Sequence, residues 1–182
     1  LFPVRNKAGR KAGLFSSIFF VDNAAMTKRQ CFPCTACCEG WLTSEEIGMT
    51  PGKPCQHCTA QGCAIYENRP KTPCQTYQCA WLVEDSDMPD DYRPDLCGAI
   101  VSINRKWNGW SVIHAAPTGA QIPTETLEWI KSYAVKRGIP LMFQENLIQN
   151  GQFGAAKVLG FGPPDFVLAV KNAISPKDIF KL

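Results

Sequence analysis

The chain reads as an α+β protein in which a small, metal-stabilised, cysteine-rich subdomain packs against a mixed or antiparallel sheet with one main helix. Three observations carry that reading. All ten cysteines of the 182 residues fall between Cys31 and Cys97, a stretch of 67 residues. From Gly98 onward cysteine disappears and regular apolar periodicity begins. Between those two patterns charge changes sign. Residues 1–30 carry six basic and one acidic residue, 31–97 four and ten, and 98–182 nine and five, so the pieces are +5, −6 and +4 within the formal +3. The expected division is therefore a basic N-terminal segment (1–30), a cysteine-rich metal-binding subdomain (31–97) and an α+β subdomain (98–182). A hydrophobic content of 45% excludes wholesale disorder. No run of apolar residues is long enough for a membrane helix. An acidic middle in a weakly basic chain argues against nucleic-acid binding, which needs a concentrated basic surface. A protein partner stays open, without a candidate.

In the first segment, a basic stretch with Arg10 and Lys11 precedes a short apolar run, Leu14 to Val21. The run is at the short limit for a signal peptide. Met26, just upstream of the first cysteine, is a second candidate start, and Ser16 to Val21 could add an edge strand.

The next segment begins Cys31-Phe-Pro-Cys34-Thr-Ala-Cys37-Cys38, with thiols at i, i+3, i+6 and i+7. A tight loop with this spacing can point two or three sulfurs at one ion. Cys55 and Cys58 form another two-residue spacing, followed by Cys63, Cys74, Cys79 and, after a gap, Cys97. Local pairs closed by remote pairs are what tetrahedral zinc sites and iron–sulfur clusters use, and both accept four thiolates. A disulfide framework, which requires secretion, and a free-thiol redox pair are the alternatives. The expected residence is cytoplasmic.

These residues resemble a known family. The order Cys31, Cys34, Cys37, Cys38, then Gly-Lys-Pro-Cys55, Gly-Cys63-Ala-Ile-Tyr-Glu-Asn-Arg-Pro, Cys74 and Tyr-Gln-Cys79-Ala-Trp-Leu is similar to the CxxCxxCC cysteine-cluster family of zinc- or iron-chelating domains, over residues 31–83. The resemblance implies metal ligation by Cys31, Cys34, Cys37, Cys38, Cys55, Cys63, Cys74 and Cys79, enough for two four-sulfur sites. Cys58 and Cys97 lie outside the family set and are secondary candidates. The implied cofactor is Zn2+, about two ions per chain in a structural or chelating role, with an iron–sulfur cluster or a metal-dependent enzyme as the alternative. It assigns no substrate or catalytic residue.

Between the cysteines, Thr43 and Glu46 fit a capping box for a short helix ended by Gly48. Trp41, Ile65, Tyr66, Trp81 and Leu82 are too few large apolar groups for a core of their own, so metal is expected to supply folding energy. Arg69 is expected in structural pairing, His57 either exposed or beside a ligand rather than bound to metal itself, and the acidic run Glu84 to Asp91 as a solvated linker.

In the second half, 99–103 and 110–115 read as strands joined by an Asn108-Gly109 hairpin turn. Pro123 and Thr124 introduce a helix of about 13 residues, with Leu127, Ile130 and Ala134 on one face and Gly138 as its stop. Strands follow at 139–143, 155–159 and 166–170. Gly160-Phe-Gly162-Pro-Pro lacks nucleotide-binding spacing and reads as a turn. His114 is expected to be a buried structural residue, and Trp107 and Trp110 to pack the hairpin.

Overall fold

The computed structural model describes residues 28–150 and 152–173. The expectations for Ser16 to Val21, Arg10, Lys11 and Met26 lie outside them. Over residues 28–97 the chain makes only short pieces of regular structure: 3-10 turns at Ala36–Cys38, Tyr66–Asn68, Ala80–Leu82, Glu84–Ser86 and Asp90–Tyr92, a turn at Lys71–Gln75, and a two-stranded ribbon of β1 (Cys58–Thr59) and β2 (Gly62–Cys63). Pro94 then opens α1 (Pro94–Cys97), one turn closed by Gly98 at φ 75°. The expected helix after Thr43 does not form. Ser44 pairs with Met49 through two backbone hydrogen bonds of 2.8 and 2.9 Å, and the Ser44 hydroxyl donates to Glu46 at 2.8 Å, so a turn uses the groups a helix would have used.

The remainder is a four-stranded sheet in the order β3 (Ala99–Trp107), β4 (Trp110–Pro117), β5 (Leu141–Gln149), β6 (Gln152–Phe161). Its outer pairs are antiparallel and its central pair, β4 with β5, is parallel. Asn108 and Gly109 both take positive φ (45° and 85°), as a two-residue hairpin turn demands. The parallel pair needs a crossover, supplied by α2 (Thr124–Arg137). That helix starts after Pro123, ends at Gly138 (φ 63°), and buries Thr126, Ile130, Tyr133 and Ala134. α3 (Pro164–Asn172) replaces the strand expected at 166–170. Pro164 and Asp165 occupy its first turn, and Phe166 and Val170, one helical turn apart, are its buried residues.

Adjacent strand residues face opposite sides of a sheet. Ile113 and Leu141 belong to the main core, whereas their neighbours Val112 and Met142 join Phe166 and Val170 in a second cluster. Trp107 and Trp110 pack edge-on to Phe166, with ring centroids 5.9 and 5.3 Å away, so the hairpin tryptophans are held by α3.

The main core does not stop at residue 97. One contiguous cluster runs from Ala36, Leu42 and Met49 through Ala80, Trp81 and Met88 to Ile100, Ile113, Ile130 and Leu141. Polar ties cross the same boundary. Tyr133 donates its hydroxyl to the Ser86 carbonyl at 2.5 Å, Arg137 donates to that carbonyl at 3.0 Å, Thr126 donates to the Cys97 carbonyl at 2.9 Å, and the hydroxyls of Tyr77 and Ser102 are 2.9 Å apart. The run Glu84 to Asp91 keeps its acidic side chains exposed, as expected of a solvated stretch, but is tied to α2 through the Asp85 and Ser86 carbonyls. This corrects the expected metal-stabilised subdomain. A sheet with helices is present, but the cysteine-bearing region draws its apolar burial from a core it shares with the sheet. No helix among the described residues is long and apolar enough to cross a membrane.

Candidate functional site

Seven of the ten cysteines line one cavity of about 80 Å³: Cys31, Cys34, Cys37, Cys38, Cys63, Cys74 and Cys79. The turn at Ala36–Cys38 brings Cys37 and Cys38, the end of β2 brings Cys63, and the Lys71–Gln75 turn brings Cys74. Phe32, Ile47, Met49, Tyr77 and Trp81 supply much of the apolar wall. Phe32 closes against Tyr66, ring centroids 5.8 Å apart at 63°, and lies so near Gly62 that a Cβ there would meet its ring at 2.7 Å. Gly62 is therefore fixed by close approach as well as by its φ of 118°. Phe32 and Tyr77 are two of the site residues that cysteine spacing does not point to. Their signal is an aromatic ring beside or two residues from a cysteine.

Cys55, Cys58 and Cys97 do not line the cavity. Cys55 is buried nearby, Cys58 sits opposite Cys63 in the β1–β2 ribbon, and Cys97 is buried with its thiol donating to the Ala99 and Tyr92 carbonyls at 3.4 and 3.5 Å. All ten cysteines are free.

Among the described residues no group of three or more His, Cys, Asp or Glu is arranged to hold a metal ion. This finding overturns the metal-binding function, Zn2+ at about two per chain, the iron–sulfur alternative, and metal ions as partners. It also removes the support for likeness to the CxxCxxCC chelating domains. The physical reason is that spacing along a chain limits how near thiols can come but not where each sulfur points. Here the sulfurs are spread around a cavity wall.

Burial sets the protonation of these thiols. Desolvation pushes Cys34 up to about 11, with the Asp95 carboxylate adding to it, and Cys38 up to about 12, with the neighbouring thiols Cys31 and Cys55 adding to it. Cys37 is also raised well above its ordinary value, again chiefly by burial, and Cys79, Cys31 and Cys34 each oppose its ionisation. Cys31, Cys74 and Cys79 are raised in the same way. At neutral pH these six thiols are held protonated. Arg69 works in the opposite direction on two of them, since its guanidinium lowers both Cys31 and Cys74 against the dominant desolvation. It is held there by donation to the Tyr66 carbonyl at 2.6 Å and by stacking 3.9 Å from the centroid of the Tyr66 ring.

A second, more open depression of about 390 Å³ adjoins the cavity. Cys31 and Cys74 are the cysteines that line both, together with Arg69. Comparison of the chain with protein-family models, with curated proteins and with solved structures gives no match.

Proposed function

We propose that the cysteine-bearing region carries reversible thiol–disulfide chemistry on an α+β scaffold. The observation that supports this best is the gathering of seven free thiols on the wall of one small cavity. Oxidation by a hydroperoxide balances as two cysteine thiols and one hydroperoxide giving one disulfide, one alcohol and one water. Two equivalents of a small thiol restore the protein thiols and leave as their own disulfide. The cavity gives the sulfurs space to approach one another. Short turns at Ala36–Cys38 and Lys71–Gln75 can shift without breaking strand ladders, so closing a disulfide costs less there than within the sheet. Mostly protonated thiols make the reaction slow at neutral pH and faster as pH rises. Reduced cysteines fit a reducing compartment, so the proposed residence is the cytoplasm.

The test is a thiol count before and after hydrogen peroxide, with the oxidised peptides mapped by mass spectrometry. The expected result is loss of thiols in pairs from the seven cavity cysteines, recovery with dithiothreitol, and Cys97 still reduced. An unchanged count, or irreversible sulfonic acid in place of disulfide, would overturn the proposal.

A further inference from the structure

Resting on that thiol–disulfide reading, we infer that the outer depression is the entry site for an anionic, peptide-like disulfide, which is reduced by Cys74 with Cys31 as the resolving thiol. Three observations point there. Cys31 and Cys74 line both the inner cavity and the open depression, so they are the cysteines through which the thiol reserve meets a substrate. Lys28, Arg29 and Arg69 line the depression with one carboxylate, Glu67, and with Asp90 paired to Arg29 the excess positive charge rests on Lys28 and Arg69. Arg29 is anchored by an ion pair with Asp90 at 2.8 Å and by donation to the Trp81 carbonyl at 2.8 Å, which holds its cation in place, while Lys28 is exposed. Finally, Gln30 and Gln78 are exposed on the same surface and offer both amide donors and acceptors to a peptide group.

Arg69 joins the two spaces. Its charge favours the thiolate of both Cys31 and Cys74, and Cys74 is the more open of the two. The Cys74 thiolate attacks one sulfur of the substrate disulfide. The substrate S–S bond breaks, and the departing thiolate takes up the proton that Cys74 released. Cys31 then attacks the Cys74 sulfur, the mixed disulfide breaks, and the second substrate thiol leaves with the Cys31 proton. In total two cysteine thiols become one Cys31–Cys74 disulfide and one substrate disulfide becomes two thiols, with no other oxidant or reductant consumed. The second step requires the Lys71–Gln75 turn to carry Cys74 toward Cys31.

The experiment compares oxidised glutathione, which is anionic, with cystamine, which is cationic, on the reduced full chain. Loss of protein thiols is followed, and each rate is divided by that of the same disulfide with β-mercaptoethanol. Oxidised glutathione should react about tenfold faster on this scale, with the preference falling as salt is added. Arg69→Gln should bring the ratio toward one, and Lys28→Glu, at an exposed position, should do so with an unchanged melting temperature. Cys74→Ser should abolish the glutathione adduct, and Cys31→Ser should trap it. Equal rates, faster cystamine, or an adduct on another cysteine would overturn the inference while leaving peroxide-driven disulfide formation intact. If peroxide also forms no disulfide, the underlying reading fails with it.

Discussion

The two regions that meet at Gly98 are built in opposite ways. Among the described residues before it, the longest regular element is five residues and the strands are two residues each. After it, strands of eight to ten residues pair along most of their length and two helices cover them. Yet the buried cluster runs through both. An irregular region need not carry its own core if it can lay Ala80, Trp81 and Met88 against a neighbour that already has one. The polar ties follow the same plan, because several backbone carbonyls of the irregular region (Asp85, Ser86, Cys97) accept from side chains on α2. The regular region provides cohesion, and the irregular one shares it while building its cavity from short turns.

The largest expected effect comes from breaking the regular side. Phe166 is fully buried between Trp107, Trp110 and the sheet, and Gly160 is so close to α3 that a Cβ there would meet Val170 at 3.1 Å. Phe166→Ala should cost about 3–5 kcal/mol in urea unfolding. If the core is shared as described, thiol exposure in the first region and loss of sheet circular dichroism should shift together. Separate transitions would show two independently stable units.

The regions should also respond to opposite ends of the pH scale. His114, buried in β4, is lowered from 6.5 to about 4 by desolvation, with Arg105 adding to it. The folded state keeps this imidazole neutral while the unfolded state protonates it, so its contribution is fully present above pH 6.5 and is lost as pH falls from there through about 4. The size is ~3 kcal/mol, and His114→Gln should flatten the dependence of unfolding free energy on pH in that window. The thiols run the other way. Cys34 and Cys38, raised from 9.0 to about 11 and about 12, favour folding fully below pH 9, and this is lost as pH climbs through those values. Melting temperatures above pH 9 should fall less steeply in Cys38→Ser than in the parent; an equal slope would remove the thiols as the cause.

A smaller effect should follow from cutting one tie. Tyr133→Phe removes the donor to the Ser86 carbonyl but leaves Arg137 donating to it at 3.0 Å. The cost should be about 1 kcal/mol, since the buried acceptor keeps a partner. It should be accompanied by faster alkylation of the cavity thiols, if the Glu84–Ser86 turn holds the irregular region to α2. Unchanged alkylation would place that hold elsewhere.

Much of the regular region was legible in the sequence because its signals are local. Asn108-Gly109 can supply two positive φ angles, and Pro123 and Gly138 bracket α2 at the positions their backbones favour. The segment Phe166 to Val170 was not, because β-branched and aromatic content suggests a strand. Pro164, Asp165 and the four-residue interval between its two buried residues carried the opposing signal. The irregular region was legible only in part. Spacing pointed to all ten cysteines, of which Cys55, Cys58 and Cys97 do not line the cavity, and the direction of each sulfur depends on contacts such as Phe32 against Gly62 and Tyr77 against Ser102, which join residues 25 to 30 apart. The Thr43 capping box failed for a similar reason, since Ser44 found Met49 instead.

The smallest expected effect is none at all, and it bears most directly on what holds the irregular region. A region whose cohesion comes from an ion would lose both fold and thiol protection on chelation, because ligand binding and folding are then one equilibrium. Here burial keeps Cys34, Cys37 and Cys38 protonated, no described group is arranged to hold a metal, and Leu42, Met49, Ala80 and Met88 are each at most 3% exposed within the shared core. Prolonged treatment with EDTA under reducing conditions should therefore leave the melting temperature and the rate of thiol alkylation unchanged. A fall in melting temperature restored by one added metal ion would shift the hold on this region from the shared core to that ion. It would also turn the raised thiols from the resting state of a redox reserve into ligands awaiting deprotonation.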